Sequence, residues 1–124
     1  MIPELDEQDI RTVAQAILDR IDGGLGWRVH KIRTPEHTFA EVGVGPAGAG
    51  EDDLYWGVYP LNVPRPDAIA NLASNLQDHM IEATWGQALP ACPGHTHPLN
   101  PDVIDGEALW LCPAEPGKHR EPIA

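Results

Sequence analysis

The chain lacks several things that would otherwise direct a functional reading. Its 124 residues include one serine, two cysteines, and only eight Lys and Arg against nineteen Asp and Glu. No apolar run approaches the roughly 20 residues that a membrane helix needs. The single serine, Ser74, sits inside a helical pattern with no Gly-x-Ser-x-Gly setting around it, so it is not a credible nucleophile. The glycines between Gly43 and Gly50 carry no Gly-Lys-Ser/Thr ending and form a flexible loop, not a phosphate cradle. A net charge of -11 repels a phosphate backbone or an anionic membrane at long range, which argues against both as partners. The opening MIPELDEQDI has neither the basic flank nor the apolar stretch of a secretion signal, so the expected address is the cytoplasm.

What is present belongs to one soluble globular domain: 42% hydrophobic and 22% charged residues, in a chain long enough to bury a core. Arg outnumbers Lys six to two and Ala, Gly and Pro are plentiful, the coding bias of a GC-rich bacterial genome. The acidic surface serves solubility first, and it also suits a protein partner with a basic face.

Apolar residues Ile10, Val13, Ala14, Ile17, Leu18 and Ile21 recur at three-and-four spacing and predict a helix from Glu7 to Asp22, with Asp6 as N-cap and Gly23-Gly24 as the stop. The period then changes. Segments Trp27 to Arg33, Thr38 to Val44 and Leu54 to Tyr59 are rich in β-branched and aromatic residues and read as three strands. Their short connections favour an antiparallel meander, because a parallel pair needs a crossover of about a dozen residues. A second helix follows Pro64-Arg65-Pro66, with Ile69, Leu72, Ala73, Leu76, Met80 and Ala83 as its buried stripe, ending near Trp85. The expected class is α+β: two helices packed on a three-stranded antiparallel meander over residues 1–89.

Residues 90–124 differ in kind. They hold seven of the thirteen prolines, both cysteines and three of the six histidines, so their order must come from packing, a bridge or a metal. Two knuckles face each other, Cys92-Pro93-Gly94-His95-Thr96-His97-Pro98 and Cys112-Pro113-Ala114-Glu115, with sixteen residues between His95 and Cys112. Asp105-Gly106 between them is a hairpin turn, and Glu107 to Leu111 reads as the returning strand. Cys-x-x-ligand spacing lets one tight turn aim two side chains at a single ion. The segment resembles the zinc-ribbon pattern and the Cys-Pro-x-His-x-His-Pro followed by Trp-x-Cys-Pro endings of small uncharacterised bacterial proteins. That resemblance covers about a quarter of the chain and implies a metal-stabilised hairpin without implying an activity.

A standard ribbon has four thiolates and this chain has two cysteines, so the remaining ligands must come from His95, His97, His119 or Glu115. Imidazole is a better zinc ligand than a lone carboxylate beside thiolates, which selects Cys92, His95, His97 and Cys112 as the metal ligands, with Glu115 and His119 in reserve. Two alternatives stand beside a zinc site: a Cys92 to Cys112 disulfide, and two buried thiols with surface histidines.

The expected role is a structural zinc site in a small acidic interaction or accessory module. A zinc-dependent hydrolase using Glu115 as base is a second reading, and an acidic inhibitor or immunity-type protein a third. The deaminase signature is absent, and His79 with Glu82 lacks the second histidine of a helical metalloprotease motif because position 83 is alanine. Glu51, Asp52 and Asp53 are adjacent carboxylates that face solvent in the ordinary case. Tyr55 and Tyr59 share one strand face opposite Trp56, and joint exposure of the two tyrosines would mark a partner surface.

Overall fold

The structure, a computed structural model, describes residues 6–22, 24–94, 96–114 and 119–124. Helix α1 (Glu7–Ile21) forms where the periodicity places it. The Asp6 carboxylate accepts from the Asp9 N–H at 3.1 Å, satisfying one donor that the first turn leaves without an intrahelical partner. All six apolar residues of its stripe are buried. The helix closes at Asp22, whose N–H donates to Leu18 O at 2.8 Å. The chain then turns through Gly24 at φ 75°, while Gly23 lies outside the described residues.

Strands β1 (Trp27–Glu36), β2 (Phe39–Pro46) and β3 (Tyr55–Pro60) form the expected antiparallel meander in the order β1-β2-β3. β1 runs three residues further than its alternation suggests. A register shift between Arg33 and Glu36 absorbs Pro35, which cannot donate to a ladder and is tolerated on an edge strand. The turn shrinks accordingly to His37 and Thr38. Val42 and Val44 of β2 and Tyr59 of β3 face the helices and are buried. Trp56 faces the other way, with the Arg33 guanidinium 3.5 Å from its ring centroid, so on the outer face this ring is covered by a cation–π contact.

The edges of this sheet are occupied by helix side chains. On β1, Gln15 accepts from the Val29 N–H at 3.1 Å and Arg11 donates to Val29 O at 3.2 Å. On β3, Asn75 accepts from the Val58 N–H at 3.0 Å and Asn71 donates to Val58 O at 2.9 Å.

Helix α2 (Arg65–Ala83) lies against β3 and, on another side, against a second sheet. It approaches β3 at Gly57, where a Cβ would come within 2.9 Å of Leu76 and 3.0 Å of Leu72. The second sheet is the main departure from the expected architecture. Beyond the hairpin of β4 (Asn100–Ile104) and β5 (Glu107–Leu111), a short third strand, β6 (Arg120–Pro122), pairs with β5. Three residues ending in proline carry too little alternation to read as a strand, and β6 exists because β5 offers it an edge. The Asp105-Gly106 turn is as expected, with both residues at positive φ (51° and 79°). A single apolar core runs through both parts of the chain and includes Leu99, Trp110 and Ile123 of the tail.

Because Gly57 meets two leucines of α2, Gly57→Ala is expected to destabilise the protein by about 1–3 kcal/mol through overpacking. Urea unfolding should show this as a lower midpoint with an unchanged slope.

Candidate metal centre

Two tips at one end of the second sheet carry the candidate ligands. The first grows from a short antiparallel ladder: Leu99 N–H donates to Pro90 O at 2.9 Å, Ala91 bridges Pro98, and Cys92 N–H donates to His97 O at 3.4 Å. Cys92 and His97 therefore face each other where the ladder ends, and Gly94, at φ 78°, supplies the left-handed residue that the turn requires. The second tip continues the β5–β6 pairing, with Cys112 N–H donating to His119 O at 3.2 Å. Each tip thus starts at a Cys-Pro and is closed by a cysteine N–H bonded to a histidine carbonyl.

Helix α2 holds the first tip at its base. Gln77, 5% exposed, donates to Leu89 O at 3.0 Å and to Leu99 O at 2.6 Å, one on each side of the ladder.

Cys92, His97 and Cys112 converge: one ligand atom from each lies within 4.8 Å of the other two, close enough to bind a metal ion. Ligand atoms around a tetrahedral zinc are about 3.5–3.8 Å apart, given bonds of about 2.3 Å to sulfur and 2.0 Å to nitrogen. Both cysteines are nearly inaccessible, at 2% and 1%, and no disulfide joins them. The His97 Nδ1 is 3.2 Å from the Pro98 carbonyl. A carbonyl only accepts, so Nδ1 carries the proton, and in the neutral ring Nε2 keeps the lone pair that a metal needs.

The four residues expected from the sequence are accounted for as follows. Cys92, His97 and Cys112 are brought together, whereas His95 lies outside the described residues, as does the reserve ligand Glu115. His119, the other reserve, stands across the second tip from Cys112 but outside the converging group. Its Nε2 is buried, without a hydrogen-bond partner among the described residues, and 3.9 Å from the Glu121 carboxylate, which pairs with Arg20 of α1.

Other candidates resolve as structural. His79 packs against Tyr55, with ring centroids 5.2 Å apart, and Tyr55 stacks on Trp27 at 5.1 Å. Tyr55 is partly exposed but Tyr59 is buried, so the two do not form a joint surface. Glu51 pairs with Lys31 at 2.6 Å, and that hydrogen bond holds its carboxyl below the usual carboxylate range. Comparison with protein-family models, curated proteins and solved structures finds no match for the chain.

Replacing Gln77 by leucine would leave two carbonyls at the base of the first tip without their donor. Gln77→Leu is expected to cost about 1–3 kcal/mol, measured by urea unfolding.

Proposed function

We propose that the tips bind one zinc ion as a structural centre, and that the protein is a small acidic interaction or accessory module whose second sheet depends on that ion. The observation carrying this reading is the convergence of two buried cysteines and one histidine from two separate tips. Thiolate and imidazole together favour zinc over the hard cations, which take oxygen ligands. His95, two residues from His97 in sequence, supplies the fourth ligand, and His119 stays outside the coordination shell. Partner choice falls to the acidic surface: a net charge of -11 suits a protein with a basic face.

A structural site stores folding free energy in metal binding, because the ligands come together only in the folded chain. Purified protein is expected to carry about one zinc per chain by elemental analysis. Stripping it with a chelator should lower the melting temperature by about 10 °C or more, given a metal contribution of a few kcal/mol. A metal-free protein indifferent to chelator would refute the proposal.

The ligand assignment has its own test. His95→Ala should weaken zinc binding by about tenfold or more in competition with a chromogenic chelator, while His119→Ala keeps full stoichiometry. The reverse pattern would move the fourth ligand to the second tip.

A further inference from the structure

Cys92 and Cys112 are the only cysteines of the chain, and their sulfurs lie within 4.8 Å of each other. A disulfide is about 2.05 Å long, so the remaining gap is comparable with the roughly 3 Å that a sulfur travels between side-chain rotamers. The first tip precedes β4 and the second follows β5, with nineteen residues between the two cysteines. A bond between them would therefore close a loop that contains the whole β4–β5 hairpin.

The sulfurs are covered, but only by the tips themselves. Ala91, Pro93, Gly94 and Thr96 of the first tip, and Pro113 and Ala114 of the second, are exposed. Among the described residues each tip closes on one backbone bond from its cysteine, 3.4 Å at Cys92 and 3.2 Å at Cys112. The proline after each cysteine has no N–H with which to add another. Ends held this way open locally without global unfolding, which admits a small oxidant to groups that are buried on average. The donor set adds to this sensitivity. A metal-bound cysteine is a thiolate, the form that peroxide oxidises, and a site that loses both sulfurs keeps imidazoles alone.

We propose that the two tips form a peroxide-responsive switch, in which a Cys92–Cys112 disulfide replaces the zinc ion as the staple of the second sheet. This rests on the zinc reading of the site given above. One sulfur attacks a peroxide oxygen, the O–O bond breaks, and a sulfenic acid forms as hydroxide leaves and takes a proton to become water. The other sulfur then displaces the sulfenic oxygen: an S–S bond forms, the S–O bond breaks, and the departing hydroxide takes a second proton. The two sulfurs lose two electrons and the peroxide gains them. No third cysteine competes for either partner within the chain. The ion is released because its thiolates are gone, while the new bond constrains the unfolded chain and keeps the hairpin stapled.

The test loads the full chain with zinc, measures the stoichiometry by elemental analysis, and then adds hydrogen peroxide in small molar excess. About one zinc per chain should be freed, read with a chromogenic chelator, as a peptide map made without reductant joins Cys92 to Cys112. Dithiothreitol should restore zinc binding. The oxidised, zinc-free protein should melt about 5 °C or more above the reduced, zinc-free protein. Zinc retained after peroxide, sulfurs ending as sulfinic acids or as links between chains, no recovery with dithiothreitol, or no gain in melting temperature would overturn the proposal. Protein that never takes up zinc defeats the zinc reading and the switch together, whereas loaded protein that keeps its ion defeats the switch alone.

Discussion

Helix α2 is packed on two sides at once, and the rest of the molecule is arranged around that constraint. One side sits on the backbone of β3 at Gly57, so closely that no side chain fits there. Another meets β4 and β5 and sends Gln77 to the base of the first tip. A helix held this way keeps one exposed stripe, Asp67, Asn71, Ser74, Asp78 and Glu82, and it ties the order of the second sheet to the core of the first. Removing water from Leu72, Leu76 and Met80, all fully buried, requires both layers to be in place.

The second sheet could not supply that order alone. Its strands are five, five and three residues long, and the segment joining β5 to β6 carries Pro113 and Pro116. Small sheets of this kind gain independent stability from a hydrophobic face or a covalent or metal staple. Here the hydrophobic face is Trp110 with Leu99 against α2, and the converging Cys92, His97 and Cys112 lie where the strands run out. The Arg20 to Glu121 pair adds a tie from β6 to the end of α1.

The helices and first sheet were legible because each obeys a local rule. The three-and-four spacing from Ile10 to Ile21 and the Asp6 cap are properties of neighbouring residues, as is the alternation around Val42 and Val44. What escaped depends on distant residues. β6 is a strand only because β5 is beside it, and Gln77 reads as an ordinary polar position until the chain returns at Leu89 and Leu99. The Cys92, His97 and Cys112 cluster was legible in its chemistry, as two Cys-Pro steps with histidines nearby, but the zinc-ribbon comparison implied one hairpin with both knuckles at its ends. The first knuckle instead has its own ladder ahead of β4, and the second lies between β5 and β6.

The side chains that bond to the outer rows of the first sheet bear on how the protein behaves in a crowded solution. An open strand edge is a template on which another chain can extend the ladder, and chains that add in succession grow into fibrils. Gln15 and Arg11 on β1, and Asn71 and Asn75 on β3, occupy backbone groups that an incoming strand would need. With a charge of -11 on every copy, self-templating is opposed both by geometry and by mutual repulsion.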